Sequence, residues 1–468
     1  MKYHFIGIAG AGMSAVAKLL IESGHIVTGS DEGSYPPISD YLVEYKIPCT
    51  TPFSPHNIPE DVDFIIIGKH AKLVPLENEE VRAAFESGKP VLSFPQVLEQ
   101  LSQEKENTVV VGSYGKSTCT ALVSWCLEFN HKDPSYFIGA LPLTPHTNAH
   151  MGNGNDFILE GDEYPSSNWD TTSKFMFLHP ENLLVTALAH DHINVFPTHE
   201  EYLHPFRQLI QTVPEKGTLV MCLDDATIQS VLPSIHHPVI TYGFAEDALY
   251  KAKDISFGFI SSFTLVRGET TLCTITTSLL GKHNIENILG VCALLLESKK
   301  LSTEELVHGI STFKGIIRRL DRKSEKTSIP MYEGFGSSID KARSAIEAIK
   351  LHFPDRRLIV VFEPHTFSWR SRAALHWYDT VFDDVDHVFM YKPPEHGSAT
   401  HDQLTLEEIT TRIAATGVAV TPFEHTATGL VEIMNTTFSN DVILVLSSGG
   451  MDGLLPQLTD ALEERFPQ

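Results

Sequence analysis

The stretch VVVGSYGKSTCTALVSW, residues 109–125, decides the architecture of the middle of this chain. An apolar run typical of a buried strand leads into a short glycine turn, and the segment after the turn has the pattern of a helix. In such a turn the backbone N–H groups converge on an anion, the helix N-terminus adds partial positive charge, and the lysine reaches the outer phosphates. The pattern predicts a nucleotide-binding phosphate loop formed by Gly112, Ser113, Gly115, Lys116, Ser117 and Thr118.

This predicted loop is more compact than the common phosphate loop. The form G-x-x-x-x-G-K-[ST] would have its first glycine at position 110, where this chain has Val110, and Gly112 lies nearer to the lysine. An ordinary strand-to-helix turn is the alternative. The strand, the Gly-x-x-Gly-Lys-Ser-Thr turn and the helix occur together, however, so we expect a phosphate site.

A second glycine turn opens the chain in FIGIAGAGMSAVAKLL, residues 5–20. Gly7, Gly10 and Gly12 follow a first strand, and Asp31 ends the next strand, where an acid can contact a ribose. The order G-x-x-G-x-G differs from the nicotinamide order G-x-G-x-x-G, so a general diphosphate site is favoured over an NAD-dependent oxidoreductase. A tight turn without a ligand is the alternative for this segment. Two such turns predict two phosphorylated ligands, ATP at Lys116 and a nucleotide-linked substrate at the first turn.

The composition indicates a globular protein that does not bind polyanions through its overall charge. The chain has 468 residues, 42% hydrophobic and 20% charged, and a net charge of −24, which disfavours non-specific binding to nucleic acid or anionic membranes. Its six cysteines form no C-x-x-C pair, as expected in a reducing compartment. The sequence has neither a signal peptide pattern nor an apolar run of roughly 18 residues, so we expect a cytoplasmic protein.

Strand and helix patterns alternate along three successive regions, which predicts an α/β fold with mainly parallel sheets. The polar segment Leu101–Asn107 is a candidate linker, and a threonine-rich segment around Gly268 predicts an antiparallel hairpin. We therefore expect three domains: residues 1–105, 106–315 and 316–468.

The motifs together resemble the Mur ligases of bacterial cell-wall synthesis. HFIGIAGAGMS resembles their uridine-diphosphate-binding opening and VVVGSYGKST their compact ATP loop, and EGDEY, HDH, GKHNIEN, IIRRLD, FEPHTFSWRSR and VLSSGGMDGL follow in the family's order. The resemblance covers essentially the whole chain. It implies a Rossmann-like N-terminal domain, a phosphate-loop central domain and a Rossmann-like C-terminal domain, which bind the uridine-linked substrate, ATP and a peptide, respectively.

Within the family, VTGSDEGSYPPISDYL and EYPSSNWDTTSKF most resemble the members that recycle a free murein peptide. The resemblance then implies an ATP- and Mg²⁺-dependent ligase, a monomer or weak dimer, that joins L-alanyl-γ-D-glutamyl-meso-diaminopimelate to UDP-N-acetylmuramate through an acyl phosphate. One alternative is the branch that adds L-alanine to the same acid.

The resemblance also implies roles for individual residues. Lys116, Glu163, His192 and Arg319 would be catalytic, and Asn284, Asn287 and Arg319 would contact ATP along with the phosphate loop. Without the resemblance, a solvated loop is the favoured interpretation of the acidic turn of EGDEY, Asn284 fits a helix cap, and Arg319 fits a surface residue equally well. The implied metal ligands are Ser117, Thr118, Glu160, Glu163 and His192, and the implied substrate-binding residues are Gly7, Gly10, Ala11, Gly12, Met13, Ser14, Ser30, Asp31 and His70. Because a peptide carries extra carboxylates, Arg370 and Arg372 of SWRSR are further candidates for binding it.

Several positions differ from the family's usual motifs. Gly334 replaces an acid expected at the ATP ribose, and Ser337, Ser338 and Ile339 replace a His-His-Pro segment. These differences leave a non-catalytic nucleotide-binding relative as a further alternative. Because Lys116 lies in a predicted exposed turn, we expect its replacement by alanine to abolish ligation with little loss of stability.

Overall fold

The structure is a computed structural model that describes residues 1–35, 38–192, 195–394 and 403–468. Pro36 and Pro37, which belong to the quoted segment VTGSDEGSYPPISDYL, and Ile193 and Asn194, which follow the HDH motif, lie outside the described residues. Contacts within the protein divide it into two compact units. The first comprises Met1–Asp254, Phe263–Ile275 and Glu286–Phe313, and the second comprises Ile255–Ser262, Thr276–Ile285 and Lys314–Gln468.

The first sheet is parallel, and its four strands have the order β2-β1-β3-β4. Successive residues of its central strands are buried, as expected for a parallel sheet with both faces covered by helices. The strands are β1 (Lys2–Ile6), β2 (Ile26–Ser30), β3 (Phe64–Ile67) and β4 (Val91–Leu92), and the helices are α1 (Ala11–Glu22), α2 (Ile38–Glu44), α3 (Glu79–Glu86) and α4 (Phe94–Ser102).

The predicted linker Leu101–Asn107 is too long at both ends. Helix α4 continues to Ser102, and the next strand begins at Glu106. The helix begins at a capping box between Ser93 and Gln96 and has a proline in its first turn, and these local signals outweigh the polar composition.

The central sheet has ten strands in the order β14-β13-β12-β11-β10-β9-β5-β8-β6-β7. Its middle strands are parallel, and β7 pairs antiparallel with β6. The strands are β5 (Glu106–Val111), β6 (Ser135–Phe137), β7 (Ala149–His150), β8 (Asp156–Glu160), β9 (Asn182–Val185), β10 (Thr218–Cys222), β11 (Val239–Tyr242), β12 (Tyr250–Ser256), β13 (Ser261–Arg267) and β14 (Thr270–Thr277).

The predicted hairpin corresponds to β13 and β14, which are neighbours in this sheet and are joined at Gly268. Gly268 has a φ of 58°, in the left-handed region that glycine adopts readily. The helices that accompany the central strands are α5 (Lys116–Phe129), α6 (His199–Thr212), α7 (Ala226–Val231), α8 (Lys282–Glu297) and α9 (Thr303–Thr312).

The second unit contains a sheet of six strands in the order β15-β16-β20-β17-β18-β19. Val360 and Val361 belong to two different hydrophobic clusters, since successive residues of a strand point to opposite faces. Both faces are therefore covered. The strands are β15 (Arg319–Arg322), β16 (Met331–Gly334), β17 (Arg357–Phe362), β18 (His387–Tyr391), β19 (Ala419–Phe423) and β20 (Asp441–Leu446), and the helices are α10 (Ile339–His352), α11 (Phe367–Arg370), α12 (Leu406–Ala414), α13 (Thr426–Thr436) and α14 (Leu454–Arg465).

The prediction of an α/β fold is confirmed by these three sheets and their helices. Among the helices of the described residues, none is both long enough and apolar enough to cross a membrane.

Within the first unit, α1 of the first sheet is joined to β7 of the central sheet by buried polar contacts. Lys18 Nζ donates hydrogen bonds to the Ala149 carbonyl oxygen at 2.6 Å and to Glu22 Oε1 at 2.5 Å. The other oxygen of Glu22 accepts the Met151 N–H at 2.8 Å. The lysine side chain is only 4% exposed, so these contacts replace its hydration and position α1 on this strand.

His150 adds a proton-dependent contact to this joint. Its ring nitrogens lie 3.7 Å from Glu22 Oε2 and 3.3 Å from Asp133 Oδ1. The Glu22 carboxylate raises the pKa of His150, Asp133 adds to this effect, and partial burial and the Lys18 ammonium oppose it. A histidine with a raised folded-state pKa stabilises the fold at pH values below its unfolded pKa. That contribution is lost as the pH rises through the folded pKa.

We predict that His150→Gln lowers the melting temperature at about pH 5.5, where the wild-type ring is charged, and has little effect at about pH 9. Thermal melts across this pH range, followed by circular dichroism, measure the difference. His308→Gln, at an exposed histidine of α9, is the control. An equal loss at both pH values would show that the charge of His150 contributes nothing.

Candidate active site

Three parallel strands end side by side at the carboxyl edge of the central sheet. β5 lies between β8 and β9, with Val110 opposite Glu160 and Val111 opposite Val185. The segments that follow, residues 112–115, 161–164 and 186–192, therefore leave the sheet at one edge. In open α/β sheets this edge is where ligands bind.

Neighbouring atoms lie so close to both glycines of the phosphate loop that a Cβ at either position would clash with them. Gly112 has a φ of 136°, and a Cβ there would lie 2.4 Å from Thr186 Oγ1. Gly115 has a φ of 82°, and its Cβ would lie 2.5 Å from Asn287 Oδ1. Gly112 therefore supplies the tight turn in this compact loop, although position 110 is a valine.

Ser113, a predicted nucleotide-binding residue, anchors the loop to the segment after β9. Its N–H donates to the Ala187 carbonyl oxygen at 2.9 Å, and its hydroxyl donates to the Ala189 carbonyl oxygen at 2.7 Å. The Tyr202 hydroxyl in turn donates to Ser113 Oγ at 3.2 Å. These bonds fix the shape of the turn, and its direct contact with a nucleotide remains a prediction.

Helix α5 starts immediately after this turn, and no side chain caps it. Its N-cap is Gly115, which has no side-chain acceptor for the N–H groups of the first turn. These donors and the partial positive charge of the helix start are directed at the space above the loop. This is the arrangement that binds phosphate in other proteins.

Lys116, Glu163 and His192, which were predicted to be catalytic, lie together at this edge. Lys116 Nζ lies 3.0 Å from Glu163 Oε2 and 2.5 Å from the Gly112 carbonyl oxygen. His192 Nε2 lies 3.2 Å from Glu163 Oε1, on the other side of the carboxylate. The side chain of Glu163 is 0% exposed and that of Lys116 is 16% exposed. The lysine is thus part of a buried ion pair and does not occupy an exposed turn, which revises the expected effect of its replacement.

The predicted metal ligands Ser117 and Glu160 are also in contact. Ser117 Oγ donates to Glu160 Oε1 at 2.9 Å, and Glu160 Oε2 accepts the Gly139 N–H at 2.7 Å. A Cβ on Gly139 would lie 2.6 Å from this carboxylate, so a larger residue there would displace the end of the Glu160 side chain. Thr118 is buried in the first turn of α5.

Tyr164 is a residue of the site that the sequence analysis missed. Its hydroxyl shares a 2.9 Å hydrogen bond with His192 Nδ1, so the histidine contacts Tyr164 through one nitrogen and Glu163 through the other. His192 has a φ of 57°, which places its ring between them at the end of the segment after β9. The available signal was its position, because Tyr164 directly follows Glu163 in EGDEY.

Asp162 of the same motif makes an ion pair with Lys174, 2.6 Å away, and accepts the Tyr164 N–H at 3.1 Å. Burial by itself would raise the pKa of Asp162, but the Lys174 ammonium and these hydrogen bonds outweigh burial and lower it. Asp162 is therefore charged and fixes the turn that presents Glu163.

The oxygen atoms available as ligands at this edge suit Mg²⁺. Glu163 Oε1 is buried without a hydrogen-bond partner, although His192 Nε2 is close, and a buried carboxylate oxygen with spare capacity is a suitable ligand for a cation. The Ser117 hydroxyl and the Glu160 carboxylate add further oxygens, which hard divalent cations prefer.

The first glycine turn has the same construction as the phosphate loop. Helix α1 starts after Gly10, and no side chain caps it. The N–H of Gly7, which has a φ of 87°, donates to the Ser30 carbonyl oxygen at 2.9 Å. The Ala9 N–H donates to Asp31 Oδ2 at 2.8 Å. Asp31, predicted to contact a ribose, therefore also holds the turn.

The other predicted substrate residues of this turn lie around the start of α1. Ala11 is its first residue, Gly12 follows, and Met13 and Ser14 are buried within it. His70 lies in the exposed loop after β3, where its backbone carbonyl oxygen accepts a hydrogen bond from Asn168 Nδ2 at 2.8 Å.

The remaining predicted residues divide between the two units. Asn287 belongs to the first unit and lies against Gly115, whereas Asn284 belongs to the second and donates to the Leu280 carbonyl oxygen at 2.7 Å. Arg319, in the second unit, is exposed at the start of β15. The predicted contacts of these residues with a nucleotide remain predictions.

The two arginines predicted to bind a peptide have protein partners. Arg370 is buried, and its Nη1 donates to the Pro394 carbonyl oxygen at 2.9 Å and to Gln403 Oε1 at 3.1 Å. Arg372 Nη1 lies 2.7 Å from Glu408 Oε1. Both side chains thus hold neighbouring segments together, and a role in substrate binding is not tested by these contacts.

Comparisons with known proteins agree with this geometry. Residues 2–106 match the model of the Mur ligase family, catalytic domain, and residues 110–295 match that of the Mur ligase middle domain. A UDP-N-acetylmuramate–L-alanine ligase of Desulforapulum autotrophicum is 32% identical over 394 residues, which are 83% of this chain and 83% of that protein.

Two solved structures have the same fold. The UDP-N-acetylmuramate–alanine ligase of Thermotoga maritima has a TM-score of 0.78 at 22% identity and covers 99% of each chain. A UDP-N-acetylmuramate:L-alanyl-γ-D-glutamyl-meso-diaminopimelate ligase from Neisseria meningitides has a TM-score of 0.62 at 26% identity over 68% of this chain and 99% of that chain.

These comparisons alter the finer expectation. The curated sequence relatives are L-alanine ligases, and the murein peptide ligase is a structural neighbour. The motifs, the α/β fold with its three sheets and the sequence relatives agree on the class of reaction, the ATP-dependent ligation of an acid to an amino acid or peptide. The chain belongs to the Mur ligase family.

Proposed function

We propose that this protein joins L-alanine to the carboxylate of UDP-N-acetylmuramate and consumes ATP in the process. The central observation is the uncapped start of α5 beside the contacts that link Lys116 and His192 to the buried Glu163, an arrangement at the sheet edge that suits a phosphate. The choice of acid and amine is supported by the L-alanine ligase that is 32% identical to this chain.

The chemistry explains why a phosphate site is needed. A carboxylate is a poor acyl donor, so its oxygen first takes the γ-phosphoryl group of ATP, which gives an acyl phosphate and ADP. The neutral amine of L-alanine then attacks the carbonyl carbon, and the C–O bond to phosphate breaks with its electron pair on the phosphate. The amine nitrogen loses one proton as the amide forms.

The residues of the phosphate loop stabilise the charge that develops in these steps. N–H groups at the start of α5 and the Lys116 ammonium face the transferred phosphoryl group. Ser117, Glu160, Glu163 and His192 are the residues that would hold Mg²⁺, which when bound neutralises phosphate oxygens. Glu163 keeps Lys116 in place through the 3.0 Å contact of their charged groups.

The first glycine turn is proposed to bind the uridine diphosphate of the acid substrate. The uncapped start of α1 offers N–H donors to a diphosphate, and the hydrogen bonds that Ser30 and Asp31 accept from the turn keep it in shape. In this proposal residues 1–105 bind the uridine-linked acid, residues 106–315 bind ATP, and residues 316–468 contribute to binding the amine.

Ligation of a preformed murein peptide is the second candidate. It is favoured by the 26% identity to the enzyme from Neisseria meningitides and by the segment EYPSSNWDTTSKF. The extra carboxylates of a peptide require additional cationic groups, and the arginines Arg370 and Arg372 are already paired within the protein. The ligation of L-alanine does not require these additional cationic groups.

We predict that L-alanine gives the highest kcat/KM when phosphate release is measured with ATP, Mg²⁺ and UDP-N-acetylmuramate. The assay adds L-alanine, L-alanyl-γ-D-glutamyl-meso-diaminopimelate or its lysine analogue separately. A higher kcat/KM for either tripeptide would favour the second candidate, and absence of turnover with all three amines would contradict both.

We predict that Lys116→Ala lowers kcat by a factor of about 10² or more, because a cation at the transferred phosphoryl group is lost. It should also destabilise the protein by about 2 kcal/mol, since Glu163 then remains as a buried carboxylate without its lysine. Urea unfolding and phosphate release measure the two effects.

The double variant Lys116→Ala with Glu163→Gln tests the physical reason. Removal of the orphaned charge should restore most of the lost stability but none of the activity. If Lys116→Ala is as stable as the wild type, the ion pair does not contribute to folding. If it retains normal kcat, the catalytic assignment is wrong.

We predict that turnover requires Mg²⁺ and that Ser117→Ala raises the Mg²⁺ concentration for half-maximal activity by about tenfold, because it removes a hydroxyl that is either a ligand or a partner of Glu160. Ser124→Ala, on the same helix, is the matched control, since that hydroxyl donates to the Thr120 carbonyl oxygen at 2.8 Å, within the helix itself. Full activity in excess chelator would contradict a metal requirement.

A further inference from the structure

Two lysines from distant parts of the first unit lie around one tyrosine ring. Lys69 follows β3, and Lys174 begins the short helical turn Lys174–Phe177. The Nζ atom of each lies 5.8 Å from the centroid of the Tyr164 ring. Lys174 Nζ is also 5.2 Å from the centroid of the Phe94 ring. Two ammonium groups are thus held beside the same aromatic surface, which both attracts and orients them.

The charges of this lysine pair are only half balanced within the protein. Lys174 has a carboxylate partner, Asp162, at 2.6 Å. Lys69 donates to the neutral carbonyl oxygen of Pro165 at 3.2 Å, and among the described residues no carboxylate lies within ion-pair distance of its Nζ. Although Lys69 is exposed, partial desolvation of its ammonium lowers its pKa, the charge of Lys174 lowers it further, and Asp162 opposes these effects. Like charges held together in this way favour the binding of an anion between them.

The loop that presents Lys69 is fixed by the central sheet's own loop. Asn168 Nδ2 donates to the backbone carbonyl oxygens of His70 at 2.8 Å and of Leu73 at 3.0 Å. Lys69 itself bonds to Pro165, three residues before Asn168. The segment of residues 165–174 therefore contains Lys174 and also bonds to the loop of Lys69, although the two lysines are 105 positions apart in the sequence.

Tyr164 connects the lysine pair to the phosphate site. Its ring faces the lysines, and its hydroxyl shares a 2.9 Å hydrogen bond with His192 Nδ1. His192 in turn contacts Glu163, the partner of Lys116. The Tyr164 side chain would therefore lie between an anion held by the lysines and the residues that surround the transferred phosphoryl group.

We propose that Lys69 and Lys174 form an anion subsite that binds the carboxylate of the acid substrate and presents it for phosphorylation. This inference rests on the proposed function, because it takes the acid as the substrate that enters from the first glycine turn. With Asp162 balancing one ammonium, the pair has one unbalanced positive charge, which matches one carboxylate. Lys69 then selects sugars that carry an acid over neutral sugars on the same nucleotide.

The test compares two ligands that differ in the carboxylate. UDP-N-acetylmuramate has a lactyl acid on its sugar, and UDP-N-acetylglucosamine has none. Binding of each to the full-length enzyme is measured by titration calorimetry for the wild type, Lys69→Gln and Lys69→Arg. The matched control is Lys72→Gln, on the same loop, where the lysine is exposed and 3.2 Å from Glu32.

We expect Lys69→Gln to weaken binding of UDP-N-acetylmuramate by about tenfold or more, as for loss of a charge-assisted hydrogen bond, with binding of UDP-N-acetylglucosamine unchanged. Lys69→Arg should retain most of the preference for the acid, and Lys72→Gln all of it. Equal weakening of both ligands by Lys69→Gln would overturn the inference, because a merely structural role affects both. An unchanged preference would overturn it as well.

Ligation by the wild type, measured with L-alanine in parallel, separates this inference from the proposed function. If the wild type ligates normally and Lys69→Gln keeps the wild-type preference for UDP-N-acetylmuramate over UDP-N-acetylglucosamine, only the anion subsite is overturned. A wild type that neither binds UDP-N-acetylmuramate nor ligates it overturns both.

Discussion

The buried carboxylate of Glu163 is the constraint on which the active site depends. A charged group that water does not reach is costly unless its partners are well placed, and here Lys116 and His192 lie on its two sides. The same requirement explains the surrounding bonds. Lys116 is held by the Gly112 carbonyl oxygen, and His192 by the Tyr164 hydroxyl. The groups proposed to act at a phosphate are thus kept in position by the cost of leaving this carboxylate unpaired.

Sheet register brings these groups together. Glu160 and the residues after it follow β8, the phosphate loop follows β5, and His192 ends the segment after β9, so the site exists only because these strands are neighbours with aligned carboxyl ends. The two glycine turns share one further feature. Each precedes a helix without a side-chain cap, at Gly10 and at Gly115, which leaves N–H donors for a ligand. Backbone donors and a few local lysines can bind anions in a chain whose net charge is −24.

Much of this could be predicted from the sequence because the signals are local. The strand–turn–helix pattern around Lys116 was apparent from residues close together in the chain, whereas the role of the acidic motif at Glu163 was implied only by the resemblance of several motifs in order. The linker is shorter than the polar composition predicts because helix α4, which starts at the capping box of Ser93 with Gln96, extends to Ser102. The exposure assigned to Lys116 was wrong for another reason. Its partner lies 47 positions away, and only folding places that carboxylate beside it.

By itself the sequence determined the α/β class, the two glycine turns and the family, since each depends on patterns of neighbouring residues or on motifs kept in order. The tertiary structure alone decided which of these residues meet. It paired Lys116 with Glu163 and gave Arg370 protein partners, and it placed Lys69 beside Lys174 across 105 positions of chain. Distances between such residues are set by strand register and loop packing, which involve the whole unit and are not encoded in any short stretch.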